Sequence, residues 1–364
     1  MPSPTRTILR TAATAVALTA TGALALTATA TAAEPANTAP TTAVASATPA
    51  ASAVTVAPLV AGLYQSAYSE RNHVLWATAA TGRPPVTNSA LLKVDPRTLA
   101  VEATYTPPVT DTATGAVEAV YGIAVDDEHN TVWTTNTRNN TVAVYSQRTG
   151  AHLATLPNVA HAREIVVDER HDTVWASGFG DGTLVAFDSR DFQEKQRVTV
   201  DGASPTGLAV NERTGTLYAA DLGGDRLIEV TPGSTTPAFV PAGDGPISVA
   251  LSADGRTAYT ADQSGGGMSV VDLRTDTVTK SVPTGAGSLS VAADPRSGDV
   301  LVVNRTAATV SVVDPAAGTV VETVATGAGP NHVEVADGTA YVVDKSGAGP
   351  AGEDRLTRIR LARG

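Results

Sequence analysis

The fold is decided by one phrase that the chain repeats with small variations. The phrase joins a short apolar strand ending in Asp, Asn or Ser to a turn and a second strand that carries a large, usually aromatic, side chain. Its clearest copies are GIAVDDEHNTVWTTN (122–136), EIVVDERHDTVWASG (164–178), GLAVNERTGTLYAAD (207–221), SVALSADGRTAYTAD (248–262), SVAADPRSGDVLVVN (290–304) and the shortened HVEVADGTAYVVD (332–344). A degenerate seventh copy, QSAYSERNHVLWATA (65–79), precedes them.

The copies follow one another at a nearly constant interval. The large side chains of the second strands are Trp76, Trp133, Trp175, Tyr218, Tyr259, Leu301 and Tyr341. After a first interval of 57 residues, which contains insertions, the spacings are 42, 43, 41, 42 and 40 residues. A period of this length is typical of architectures in which each repeat is one supersecondary unit.

Further strands complete each repeat. Third strands follow the phrase, as in LLKVD (91–95) and TVAVY (141–145), and a fourth follows most of them, as in TVVETV (319–324). Four short strands per repeat predict an all-β fold, a seven-bladed β-propeller of four-stranded antiparallel blades over residues 54–364. The last repeat contains only three strands, so we expect VTVAPLV (54–60) to join it and close the ring.

The residues before the repeats have the composition of an export signal and a tether. Residues 1–33 combine a basic start, an Ala/Leu/Val/Thr stretch and a small-residue cleavage site, which predicts a secretory signal peptide rather than a retained membrane anchor. Residues 34–53 are rich in Ala, Thr and Pro and predict a disordered tether. We therefore expect a secreted or cell-wall-associated monomer without a membrane span in its mature form.

Composition excludes several chemistries. The 364 residues include no Cys, which excludes disulfides, thiolate-ligated zinc, a thiolate nucleophile and an acylated cysteine. Removal of residues 1–33 leaves 23 basic and 36 acidic side chains, a formal charge of −13. Because phosphate backbones attract Lys and Arg clusters, we do not expect a nucleic-acid partner.

Two segments resemble a known family. The stretches VDPAAGTVVETVATGAGP (313–330) and VWTTN (132–136) are similar to the YVTN-type repeat of YncE-like β-propellers, and the resemblance extends over nearly the whole mature chain. It implies the propeller fold and a binding role. Members of that family have been associated with DNA, and the acidity of this chain argues against that partner.

Candidate site residues are those that break the repeat at one rim of the channel. First strands start at this rim, and most repeats place Gly or Ser there. The exceptions, together with two flanking tyrosines, are the candidate ligand-binding residues His161, Arg163, Glu164, Asn331, His332, Tyr64 and Tyr121. They predict a mouth that binds a small molecule or a protein segment. The alternative is that Glu164 pairs with Arg163 or His161 and only fills the channel.

A metal site is the weaker of the chemical predictions. Glu164, Asp221 and Asp262 could hold Ca²⁺ or Mg²⁺ through oxygen ligands, although Asp or Asn at the end of a second strand is most simply a turn element. The sequence contains no G-x-S-x-G, H-E-x-x-H, Walker A or EF-hand motif, and we assign no catalytic residue. We predict a binding scaffold that requires neither catalysis nor a cofactor. The alternative is a metal-assisted hydrolase or lyase similar to gluconolactonase-like or streptogramin-lyase propellers.

Overall fold

In a computed structural model of the protein, which describes residues 51–362, seven four-stranded antiparallel sheets surround a central channel. The predicted seven-bladed β-propeller is therefore confirmed. The predicted signal peptide and nearly all of the predicted tether, residues 1–50, lie outside the described residues.

Each blade runs from an inner strand at the channel to an outer strand at the periphery. Blade 1 contains β2 (Leu63–Ser69), β3 (Val74–Thr81), β4 (Asn88–Val94) and β5 (Val101–Tyr105). Blade 2 contains β8 (Ile123–Asp126), β9 (Thr131–Asn136), β10 (Thr141–Ser146) and β11 (His152–Leu156). Blade 3 contains β12 (Ala162–Asp168), β13 (Thr173–Gly178), β14 (Thr183–Asp188) and β15 (Glu194–Thr199).

The remaining blades repeat this order. Blade 4 contains β16 (Pro205–Asn211), β17 (Thr216–Asp221), β18 (Arg226–Val230) and β19 (Ala238–Pro241). Blade 5 contains β20 (Pro246–Leu251), β21 (Thr257–Asp262), β22 (Gly267–Asp272) and β23 (Thr277–Pro283). Blade 6 contains β24 (Ser288–Ala293), β25 (Val300–Asn304), β26 (Thr309–Asp314) and β27 (Thr319–Ala325). Blade 7 contains β28 (Pro330–Ala336), β29 (Thr339–Asp344) and β30 (Arg355–Arg360), and its outer strand is β1 (Ala53–Pro58).

The chain closes its ring by pairing its two ends. Strand β1 pairs antiparallel with β30, from Ala53 opposite Arg360 to Pro58 opposite Arg355. This pairing confirms the predicted closure, and the strand begins one residue before the predicted start of the domain. Blades cannot bury both faces alone, so the joined ends complete the packing of the first and last blades.

The hydrophobic core lies between the blades. The second strand of each blade is almost wholly buried, and its large side chain packs against a neighbouring blade, as Trp133 does against Ile165 and Phe187 of blade 3. One such cluster joins every adjacent pair of blades, including Leu75 of blade 1 with Tyr341 of blade 7. The core is thus a closed ring of interfaces, which fixes the inner strands around the channel.

Two short elements lie outside the blades. Between blades 1 and 2, β6 (Val109–Asp111) pairs with β7 (Ala116–Val117). A single 3-10 turn, Glu169–His171, connects β12 to β13. Across residues 51–362 no helix is both long enough and apolar enough to cross a membrane.

Candidate functional site at the channel mouth

The register of the inner strands arranges their side chains in two rings along the channel. The residues opposite the large side chains of the second strands form the second ring: Ala67, Ala124, Val166, Ala209, Ala250, Ala292 and Glu334. Two residues earlier, the first ring contains Gln65, Gly122, Glu164, Gly207, Ser248, Ser290 and His332. The channel encloses a cavity of about 420 Å³, a volume suited to a small molecule.

The rim above the first ring, here called the channel mouth, has two unlike sectors. The residue that precedes each first-ring position is Tyr64, Tyr121, Arg163, Thr206, Ile247, Leu289 or Asn331. The sector from blade 7 through blade 3 is therefore aromatic and polar, whereas blades 5 and 6 are apolar there: Leu289 is half-buried at the rim, and Ile247 is buried in the core between these blades. An amphipathic mouth of this kind suits a ligand that has both a polar and an apolar part.

Glu164 is held in the first ring by Gln65. The Gln65 Nε2 donates to Glu164 Oε2 at 2.9 Å, and the Gln65 Oε1 accepts from the backbone N–H of Ile123 at 3.1 Å. This bridge crosses blade 2 in front of Gly122, whose missing side chain leaves room for it: a Cβ there would lie 2.6 Å from the Arg163 carbonyl oxygen. Burial raises the pKa of Glu164, while the Gln65 hydrogen bond and the charge of Arg163 oppose the rise.

His332 is a neutral imidazole at the same level. Its Nδ1 accepts from the backbone N–H of Ser66 at 3.4 Å, and burial lowers its pKa to about 4. The proton therefore resides on Nε2, which leaves one N–H donor for a ligand. Because Glu164 bonds to Gln65 rather than to His332, the two side chains do not form an acid–base pair.

The two predicted tyrosines contact each other edge to face. The Tyr64 and Tyr121 ring centroids lie 5.0 Å apart with an interplanar angle of 81°. Burial raises the pKa of Tyr64, which keeps its hydroxyl a proton donor. Asn331 fixes this tyrosine from the side, since its Nδ2 donates to the Tyr64 carbonyl oxygen at 2.7 Å.

Of the two remaining candidates, the Arg163 side chain lines the channel, whereas the His161 ring turns toward Phe179. Arg163 lines the channel, with its Cζ 5.7 Å from the centroid of the Phe179 ring. His161 has a left-handed φ of 49°, donates its N–H to Asn140 Oδ1 at 2.7 Å, and turns its ring toward Phe179 at 5.5 Å. The described structure contains no ion pair of Glu164 with Arg163 or His161 within 4.0 Å, so the predicted channel-filling pair is not formed.

Two cations at the mouth were missed by the sequence analysis. Arg305 donates to Asn331 Oδ1, and the Lys345 Nζ lies 4.8 Å from the centroid of the Tyr64 ring. Both residues are the fourth after the large side chain of a second strand, where other blades have Ala80, Thr137, Phe179, Leu222 and Gln263. A comparison of that repeat position, one residue beyond Asn304 and Asp344, would have identified them.

A half-buried acid in the second ring was also missed. Glu334 occupies the position at which every other blade has Ala or Val, and it lines the channel below His332. Burial raises its pKa to about 7, and the charges of Glu164 and Glu70 add to the rise. The mouth is therefore cationic, whereas the channel beneath it carries carboxyl groups.

The predicted metal ligands do not form a site together. Asp221 accepts from the Ser204 N–H at 2.8 Å and from Arg226 Nε at 2.9 Å, and Asp262 accepts from Ser269 Oγ at 2.6 Å. Both carboxylates are thus bonded within their own blades, as the turn interpretation expects. Among residues 51–362, the one group of three suitable ligand atoms within 4.8 Å of one another belongs to Glu128, His129 and Asp172, away from this mouth. The donor set of Glu164, Asp221 and Asp262 does not fit a divalent cation.

Comparisons with known proteins give the fold. Neither a protein-family model nor a curated protein sequence matches the chain. Among solved structures, a streptogramin B lyase is similar at a TM-score of 0.68 and 12% identity, over 85% of this chain and 98% of the other. Virginiamycin B lyase from Staphylococcus aureus is similar at a TM-score of 0.68 and 13% identity, over 85% of this chain and all of the other. At such identities the likeness indicates the seven-bladed propeller alone.

Proposed function

We propose that this protein is an exported binding scaffold of YVTN type, which takes a ligand at its channel mouth without chemical change. One observation carries the proposal: side chains that break a regular repeat converge on one rim of a cavity of about 420 Å³. A repeat needs no such exceptions in order to fold, since Gly, Ser and Ala suffice at most inner positions. Concave sites with few convergent polar groups are the usual form of ligand pockets.

The half-buried tyrosines supply the second argument. Tyr64 presents aromatic surface at the rim of the cavity, Tyr121 contacts it edge to face, and Leu289 gives the same rim an apolar part. Aromatic side chains contribute large contact areas at a small entropic cost, which favours binding of a flat or apolar body between the two sides. The chain acts in this proposal as a monomer whose partner is a small molecule or a protein segment.

The test is crystallographic screening with a chemically mixed set of small fragments, both charged and neutral. We expect fragments to concentrate at the channel mouth against Tyr64 rather than on the opposite face. The variant Tyr64→Ala should lose most of them, whereas Phe239→Ala, at an exposed site on blade 4, should lose none at the mouth. Fragments that concentrate elsewhere and leave the mouth empty would contradict the proposal.

A second candidate is the hydrolase or lyase activity. The likeness of the fold to streptogramin B lyase supports it weakly, as does the presence of Glu164 and His332 in one ring. Thermal denaturation with and without millimolar Ca²⁺ or Mg²⁺ distinguishes the binding scaffold from the metal-assisted enzyme. A binding scaffold predicts equal melting temperatures, and stabilisation that Glu164→Gln abolishes would favour the metal-assisted enzyme.

Export is a separate part of the proposal, supported by residues 1–33 of the sequence. Mass spectrometry of the protein from fractionated cultures should find a chain that begins near Ala33, in the medium or the wall fraction. An intact N-terminus retained inside the cell would contradict it.

A further inference from the structure

Three cations lie near Tyr64, and among residues 51–362 none of them has an acidic partner within 4.0 Å. Arg163, Arg305 and Lys345, here called the cation cluster, come from blades 3, 6 and 7. The Lys345 Nζ lies 4.8 Å from the Tyr64 centroid, and the charges of Arg163 and Arg305 both act on the Tyr64 hydroxyl. Arg163 lines the same cavity as Tyr64, and Asn331 links Arg305 to the Tyr64 backbone by accepting from the first and donating to the second.

The cluster forms no direct ion pair. Within residues 51–362, no carboxylate oxygen lies within 4.0 Å of a charged nitrogen in the cluster, although nine Lys or Arg ion pairs form elsewhere. Glu164 acts on Arg163, and Asp354 on Lys345, only from a greater distance. The hydrogen-bond partner of Arg305 is the neutral amide of Asn331. The nearby Asp354 bonds instead to the backbone N–H groups of Gly62 and Gly347.

Leaving these charges unpaired costs free energy. All three side chains are half-buried, and burial lowers the pKa of Lys345, an effect that the charge of Asp354 opposes and the charge of Arg305 reinforces. In a chain with a formal charge of −11, acidic partners for surface cations are abundant. A cluster that remains without them in a concave mouth is the arrangement expected for an anion site.

We propose that the cation cluster binds the oxyanion, a carboxylate or phosphate group, of a ligand whose apolar body lies in the cavity between Tyr64 and Leu289. The planar guanidinium groups of Arg163 and Arg305 match a carboxylate or phosphate edge, and Lys345 adds a point charge. Glu164 and Glu334 lie below the cluster and repel the anionic end, which keeps it at the rim. This inference rests on the proposed binding function and adds the class of ligand.

The test uses four benzene derivatives of similar size as probes: benzoate, phenyl phosphate, benzamide and benzylamine. In ligand-observed NMR titrations of the full chain at constant ionic strength, we expect benzoate or phenyl phosphate to bind at least tenfold more tightly than benzamide. We expect benzylamine to bind most weakly. The comparison of benzoate with phenyl phosphate shows which oxyanion is preferred, and it requires no variant that has to fold.

Matched variants test whether the preference for anions depends on the cation cluster. The double variant Arg305→Gln/Lys345→Met should lower the affinity for the preferred anion at least tenfold and leave benzamide binding within twofold. The control Arg256→Gln/Lys93→Met removes the same two charges away from the mouth and should leave every affinity within twofold. An unchanged anion preference in the first variant would overturn the inference.

The outcomes separate the two proposals. If all four probes bind at the mouth with equal affinity, the oxyanion class is wrong and the binding function stands. If crystals soaked in the same probes show none of them at the mouth, both proposals are wrong.

Discussion

At the scale of single residues, Glu334 places a carboxyl group at a channel position where the other six blades have Ala or Val. It stands alone among small apolar neighbours of the second ring, and burial raises its pKa to about 7. Burial lowers the pKa of nearby His332 to about 4, so the imidazole is neutral at the same pH. The channel below the mouth therefore holds a neutral base and a carboxyl group that titrates near neutrality.

Replacement of Glu334 by Gln should stabilise the protein in a pH-dependent way. The folded-state pKa lies above the ordinary value of 4.5, so the stabilisation due to the protonated form is complete below pH 4.5 and is lost as the pH rises through about 7. Relative to wild type, the variant should gain about 1–3 kcal/mol more at pH 8 than at pH 4.5. Chemical denaturation at the two pH values measures this difference.

The comparison isolates Glu334 because His332 is present in both proteins. The exposed control Glu128→Gln should change stability equally at the two pH values. A gain in Glu334→Gln that does not depend on pH would contradict the account.

At the scale of elements, Gly122, which directly precedes β8, leaves the first ring without a side chain in blade 2. Gly122 lets the Gln65 side chain cross blade 2 to Glu164, and the neighbouring Thr135 Oγ1 donates to the Arg163 carbonyl oxygen at 3.0 Å. A side chain at this position would enter a space that three blades already fill. The glycine thus couples the position of Glu164 to blades 1 and 2.

The variant Gly122→Ala should destabilise the protein by about 1–3 kcal/mol. Its new Cβ would lie 2.6 Å from the Arg163 carbonyl oxygen and from Thr135 Oγ1, so the backbone of an adjacent blade must shift. Gly223→Ala is the matched control, because the nearest atom to its Cβ is Ser204 Oγ at 3.9 Å. Denaturation midpoints of the two variants that agree with each other would show that the gap has no structural role.

Repeat spacing predicted the architecture but only part of the mouth. The period places each first strand in the ring, which is why Glu164 and His332 could be assigned to the channel. The direction of a rim side chain depends on local backbone, and the left-handed φ of His161 turns that ring toward Phe179. Arg305 and Lys345 lie one residue beyond the Asn or Asp that ends a second strand, so they are identified only when that position, rather than the start of the first strand, is compared between repeats.

At the scale of the whole molecule, the fold depends on joining its ends. Strand β1 pairs along six residues with β30, and Leu59 and Val60 pack on the cluster that unites blades 1 and 7. Ser52 adds hydrogen bonds to Glu322 of blade 6, at 3.0 and 2.7 Å. These contacts connect the last blade to the start of the described chain.

Removal of residues 1–61 should lower the melting temperature by about 5–15 °C. The last blade would lose its outer strand, and the interface between blades 7 and 1 would lose apolar contacts. Removal of residues 1–50 is the control and should leave the melting temperature unchanged, since it spares β1. Differential scanning calorimetry compares the two chains. Equal melting of both truncations would show that closure by β1 does not stabilise the ring.

A crystal structure of the protein soaked in benzoate is the decisive test of anion binding at the channel mouth. We expect density for the carboxylate within about 3 Å of an Arg163 or Arg305 nitrogen, with the benzene ring against Tyr64. Density for benzoate at another surface, with the mouth empty of it at saturating concentration, would show that the mouth is not an anion site.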